Sequence, residues 1–305
     1  MSPDPEPEEP GTPENFNDLY YFSEFWQDLP WSPWVPFDAP REFFYIPKEP
    51  GIYRIRPVGK DFLVYISETN RTLHQRLGEL RQSLRRTDLM PWNDPDTSAP
   101  PLWAWRDAER YQYECSAAPL DASPAGRRAM ESFLIYQYRQ EVKESPLCNF
   151  GRFHPRYRRS TNKSGNLRGG KLLDNQKDNP AGWPSIPPLS PAGKPGDPDW
   201  MELEWTPAKP FTPENIETIL PGAGLYLLTD AGSQEILFIG QAPDCKKRLL
   251  VQCGKEWDDR TLEFSYQPLG ENVFLHNLRE LENDLIGNFF EHYRKAPEFQ
   301  FRASR

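Results

Sequence analysis

Two stretches of this chain carry the same succession of apolar and polar positions, and each predicts the same run of elements. In the first, strand-forming runs near 51–56 and 62–67 flank a Pro57–Asp61 turn and predict a β-hairpin. Leu73, Leu77, Leu80 and Leu84 then recur at helical spacing, with Arg76 beside the stripe. A segment rich in Pro, Trp and Asp (90–106) leads into a strand over Arg110–Ser116. A helix follows from about Pro124 to Lys143, with Met130, Leu134 and Tyr138 facing inward and Glu131 beside that face. In the second stretch, Gly51-Ile52-Tyr53 and Tyr65-Ile66-Ser67 are answered by Gly224-Leu225-Tyr226 and Phe238-Ile239-Gly240 at the same separation. Arg248 answers Arg76, Glu282 answers Glu131, and Gln300 answers Asn149. A repeat on this scale decides the architecture before any other feature does. If Tyr53 and Tyr65 pair directly across the hairpin, they share one face and leave a five-residue loop; Tyr226 and Phe238 repeat the arrangement.

Composition refines the plan. The chain has 305 residues, 13% of them aromatic, enough for a core in each half, while 34 prolines point to long connecting segments. No apolar run is long enough to span a bilayer, no signal-peptide pattern opens the chain, and four scattered cysteines lack metal-ligand spacing, so the expected setting is the cytoplasm. The expected organisation is a disordered acidic tail (1–18), an aromatic, proline-punctuated arm packed over the first domain (19–45) and that first domain (46–150). A basic extension (151–171), a proline-rich linker (172–213) and a second domain (214–305) complete it.

Net charge is −9, which by itself argues against nucleic acid, but the charge is unevenly placed. The extension contains Arg152, Arg156, Arg158, Arg159, Lys163, Arg168 and Lys171 and no acid. Such a local stripe contacts phosphates even on an acidic protein, because salt screens charges beyond about 10 Å. Its glycines suggest an arm that orders on nucleic acid.

The tripeptides, their spacing, the following Arg and the later Glu and Asn resemble the GIY-YIG nuclease superfamily, as a tandem of one intact-looking and one degenerate copy. The resemblance covers about 50–150 and 222–301. It implies an α/β (α+β) protein of two small domains, each a three-stranded antiparallel sheet flanked by helices. It further implies a Mg²⁺- (or Mn²⁺-) dependent endonuclease acting on DNA, with RNA not excluded. By that resemblance Tyr53 is the base, Tyr65 positions the water or phosphate, Arg76 neutralises the phosphate, Glu131 holds the metal and Asn149 braces the site. These residue types suit the chemistry, since one carboxylate holds a hydrated Mg²⁺ and a guanidinium fork matches phosphate oxygens.

The chain departs from the pattern at Ser67 in the first copy. In the second copy Phe238 replaces a tyrosine and Gln300 the asparagine, while Tyr226, Arg248 and Glu282 remain as a degenerate site. The expected setting by family analogy is restriction or anti-phage defence, with a homodimer or a defence-complex partner left open. The alternative is a non-catalytic nucleic-acid-binding or scaffolding component, in which the tyrosines are simply packing. The nuclease requires Tyr53, Tyr65, Arg76 and Glu131 to converge on one cleft, and the binder does not.

Overall fold

A computed structural model describes residues 20–94, 97–270 and 273–302. The acidic tail expected over 1–18 lies outside the described residues. The first unit contains β1 (Val35–Pro36), β2 (Gly51–Pro57), β3 (Tyr65–Thr69), α1 (Leu73–Ser83), α2 (Ala99–Glu109), β4 (Tyr113–Pro119) and α3 (Pro124–Val142). A small ribbon of β5 (Tyr157–Arg158) and β6 (Gly170–Lys171) follows it. The second unit contains β7 (Lys209–Pro210), α4 (Pro213–Glu217), β8 (Gly224–Asp230), β9 (Ile236–Ala242), α5 (Cys245–Cys253), β10 (Leu262–Pro268) and α6 (Leu275–Tyr293).

Local chemistry sets the ends of these elements. Thr72 caps α1 by accepting from the Gln75 amide, and Ser123 caps α3 through the Gly126 amide with Pro124 in the first turn. Lys143 stops α3 in the left-handed region, at φ 68°. The segment 90–106 is not all loop: its Pro100-Pro101 pair sits in the first turn of α2, where the missing amides cost no helical hydrogen bond. Gly51 and Gly224 have one role in common. A Cβ at Gly51 would lie 2.1 Å from the Ala118 carbonyl oxygen, and one at Gly224 would lie 2.6 Å from that of Gln267.

The sheets correct the three-strand expectation. Each has four antiparallel strands, in the orders β1-β4-β2-β3 and β7-β10-β8-β9. The extra edge strand comes in one case from the aromatic arm and in the other from the proline-rich linker, each two residues long and so invisible as a periodicity. Hairpin register also differs. Tyr53 pairs with Ser67 and Ile55 with Tyr65, so the two tyrosines are diagonal neighbours and the loop is longer than five residues. They still share a face, because a shift of two preserves it.

The molecule is layered. On one side of the first sheet, Tyr53, Ile55 and Val64 pack on Leu73, Leu77 and Leu80 of α1. On the other, Ile52 and Ile66 meet Leu134, Ile135 and Tyr138 of α3, with Tyr21, Phe22, Trp26 and Trp31 of the arm. The fully buried Arg54 anchors that arm, donating to the carbonyls of Phe22 and Ser23 at 3.2 and 2.9 Å, with its guanidinium 4.1 Å from the Trp31 ring. A further stripe of α3 (Ala129, Phe133, Tyr136) packs against Leu281, Leu285 and Phe289 of α6, which backs onto the second sheet. Gly287 lets the helices approach, since a Cβ there would sit 2.2 Å from that of Tyr136. Arg139 of α3 and Asp284 of α6 form a fully buried ion pair at 2.7 Å.

The linker is part of this junction. Trp200 is completely buried and donates to Asn288 at 2.7 Å, while the Ile186 and Leu189 amides donate to Glu280 and Asp284 at 2.9 and 3.1 Å. Among the described residues, no helix is long and apolar enough to cross a membrane.

Candidate functional site

In both sheets one edge strand faces the α3–α6 junction, and its outward backbone groups must find partners or meet water. In the first unit the Cys148 amide donates to the Val64 carbonyl at 2.8 Å. The Asn149 side chain accepts from the Ile66 amide at 3.0 Å and donates to its carbonyl at 2.8 Å. One step along, Glu131 Oε2 accepts from the Glu68 amide at 3.1 Å. The second unit repeats this contact for contact. The Phe299 amide donates to Leu237 at 2.9 Å, Gln300 grips both backbone groups of Ile239 at 2.9 and 3.0 Å, and Glu282 accepts from the Gln241 backbone. Asn149 and Gln300 are therefore clamps on a strand edge, and an amide of either length performs the task.

The two edges face a common cavity of about 400 Å³ between the units. Tyr65, Glu131, Asn149 and Arg159 line it from the first unit, and Gln241, Arg279, Glu282 and Gln300 from the second. The carboxyl of Glu131 is pushed up to about 8, first by burial and then by Glu68 beside it. Glu282 is pushed up to about 7 by burial, with Arg279 and Arg248 acting in the opposite direction.

Tyr53 and Arg76 sit behind this wall. Arg76 Nε donates to the Tyr53 hydroxyl at 3.1 Å, and the Tyr53 and Tyr65 rings are 6.1 Å apart. Neither Tyr53, which has no exposed surface (0%), nor Arg76 lines the cavity, so of the four residues expected to converge on one cleft only Tyr65 and Glu131 reach it. The group expected to contact water is thus the buried one of the pair, and half-buried Tyr65 reaches the cavity instead. The second unit differs here. Tyr226 receives a 3.3 Å hydrogen bond from Gln252, one turn beyond Arg248, and Arg248 itself is exposed. Gly240, where the first unit has Ser67, leaves room for the Tyr226 ring; a Cβ there would be 2.3 Å from its Cζ. Phe238 stacks on Tyr226 with ring centroids 6.0 Å apart.

The chain matches no protein-family model, no curated protein and no solved structure.

The basic extension is ordered and internally bonded rather than a free arm. Arg152 is buried and donates to the Ser145 carbonyl at 2.8 Å, and Arg156 pairs with Asp178 at 2.7 Å. Arg168 donates to the Met90 carbonyl at 2.5 Å and lies over the Trp92 ring at 4.2 Å. Arg158, Lys163 and Lys171 are exposed, and Arg159 is the member that borders the cavity. The acid that compensates Arg156 lies in the neighbouring segment, outside 151–171.

No group of three or more His, Cys, Asp or Glu side chains is gathered for a metal among the described residues. The donors at Glu131 still suit a hard cation that keeps most of its waters. Glu68 is beside it, and Glu68 Oε2 is buried without a hydrogen-bond partner, 3.6 Å from Arg127 Nε. Burial raises the Glu68 carboxyl as well, against the pull of Arg128 and Arg127. Glu131 and Glu68, the latter also 3.6 and 3.8 Å from the Arg127 and Arg128 guanidiniums, are the carboxyl oxygens this wall offers a hard cation.

Proposed function

We propose that the chain is a Mg²⁺-dependent nucleic-acid endonuclease of the GIY-YIG type, with its chemistry in the first unit. The observation that carries this reading is the grouping of Tyr65, Glu131 and Asn149 on one cavity wall, with the Arg76–Tyr53 pair directly behind Tyr65. A bound Mg²⁺ would be held by Glu131, with Glu68 in support, and would supply charge neutralisation at the scissile phosphate. Tyr65 is the hydroxyl that meets the strand and orients the attacking water. Tyr53 acts as a positioning residue: its ring supports Tyr65, and its hydroxyl holds the Arg76 guanidinium behind Tyr65, from where its positive charge acts on the phosphate through the wall. Asn149 holds the β3 edge, and with it Tyr65, in register.

A second reading has an observation in its favour. Glu131 and Asn149 perform the same strand-edge task as Glu282 and Gln300, which a non-catalytic nucleic-acid-binding or scaffolding protein would also need. Incubation of the purified chain with supercoiled plasmid, and separately with single-stranded RNA, in Mg²⁺, Mn²⁺ or EDTA distinguishes the two. The nuclease gives metal-dependent nicking that Arg76→Ala abolishes. Undamaged substrates under every metal condition would favour the binding protein.

A further inference from the structure

We infer that the cavity between the two units is an oxyanion site for a nucleic-acid phosphate, completed by Arg279 of the second unit opposite Arg159 of the first. Arg279 reaches out of α6 and donates to the Phe150 carbonyl at 2.9 Å. Gly151 must lack a side chain for it to do so, because a Cβ there would be 2.7 Å from the Arg279 Nη1. Arg159 makes a single long contact, 3.4 Å to the Gly151 carbonyl, and lies over the Phe153 ring at 5.2 Å. Both guanidiniums are half-buried, both border the cavity, and no described carboxylate comes within 4.0 Å of either. Burial and then the charge of Arg279 both weaken the hold of Arg159 on its proton, so the two sense one another. The two guanidiniums border one cavity without a direct ion-pair contact, although the Glu282 carboxyl lining it acts on Arg279 through space, and an anion between them would relieve their mutual repulsion. Each keeps N–H donors unused by the protein, in the planar arrangement that matches phosphate oxygens. Comparison of the two units aligns Arg279 with Arg128, three residues before the glutamate in each, but only Arg279 reaches the cavity, because α6 docks on α3.

The inference rests on the nuclease reading for the identity of the anion. In this role the second unit supplies part of the substrate site of the first. The experiment is fluorescence anisotropy with a labelled short oligothymidylate in EDTA, where no cleavage occurs, with inorganic phosphate as competitor. Arg279→Gln and Arg159→Gln are each expected to weaken binding about tenfold or more and to flatten its salt dependence by about one counterion. Arg279→Lys, which keeps the charge but loses the fork, should fall in between, and Arg85→Gln, an exposed charge away from the cavity, should match wild type. Thermal unfolding of each variant separates lost binding from lost folding. Wild-type binding by Arg279→Gln, or failure of phosphate to compete, overturns the site while leaving the nuclease reading intact. Binding that depends on Arg279 in a protein that never cuts supports the site and removes the nuclease.

Discussion

Asn149 in the first unit and Gln300 in the second grip the same backbone position of their edge strands, and Glu131 and Glu282 accept from the next outward amide in each. A few ångströms away the units diverge. The first sets Tyr65 beside a Tyr53 held by Arg76, whereas the second stacks Phe238 on a Tyr226 held by Gln252. Edge protection is a requirement of the fold, because a sheet edge turned toward a packed junction must be covered in both units. A hydroxyl and a guanidinium on the sheet face are not required for folding, since the second unit manages with a phenyl ring and an amide. Under the proposed function the difference assigns the chemistry to the first unit, where Glu131 would serve both the strand edge and the cation.

Glu131→Gln breaks the comparison most strongly. Glutamine retains an acceptor for the Glu68 amide and removes the charge a cation needs, so plasmid nicking should fall by about a thousandfold or more, roughly 4 kcal/mol in the barrier. Glu282→Gln should leave nicking within about threefold. Equal losses in both variants would make the two units equivalent and end the assignment of chemistry to the first.

Acidity supplies the next effect. Glu282 titrates at about 7 in the folded chain, against 4.5 for the ordinary carboxyl. Between those values the native state retains a proton the unfolded state has released, so stability falls as pH rises from about 4.5 to 7 and levels off above. At 1.36 kcal/mol per pH unit, the loss is roughly 3 kcal/mol. Glu282→Gln should remove this contribution, making the variant the more stable protein at pH 8 relative to its margin at pH 5. Urea denaturation at the two values measures it, and parallel pH dependences in the two proteins would contradict the buried, protonated carboxyl.

Asn149→Leu and Gln300→Leu test the shared half of the comparison. Each leaves an amide and a carbonyl of an edge strand without partners, which costs about 2 kcal/mol. The costs should be nearly equal, although only Asn149 belongs to the proposed active unit. A cost confined to one variant would show that the clamps are not equivalent.

Much of this was legible in the chain. The repeat, both hairpins and the shared tyrosine face follow from spacing alone. So do the limits of α3, because Ser123, Pro124 and the periodic apolar residues are local signals. Register was not legible, since it depends on how the Pro57–Asp61 loop closes rather than on alternation. Neither were the outer strands, which at two residues have no period. The α3–α6 docking had a signal that can be read afterwards: Ala129, Phe133 and Tyr136 form a second apolar stripe beside Leu134, Ile135 and Tyr138, more than one sheet contact needs. The basic extension misled because formal charge does not say where a guanidinium points. Arg152 and Arg168 turn inward to carbonyl oxygens, and the partner of Arg156 is Asp178 of the following segment.

The smallest expected effect sharpens the comparison most, because it exchanges single hydroxyls between the units. Tyr65→Phe removes the hydroxyl nearest the cavity while leaving the ring against Tyr53, so stability should change by less than about 0.5 kcal/mol. Nicking should slow about tenfold, roughly 1.4 kcal/mol, the scale of one hydrogen bond made in the transition state. Phe238→Tyr places a hydroxyl at the matching point of the second unit. It should restore nothing to a Glu131→Gln background, because Tyr226 is held by a neutral amide and Arg248 stands exposed on α5. Recovery of nicking in that double variant would mean that the hydroxyl alone had been missing. The guanidinium–tyrosine pair of the first unit would then be a packing feature, and the distinction between the units would reduce to a single atom.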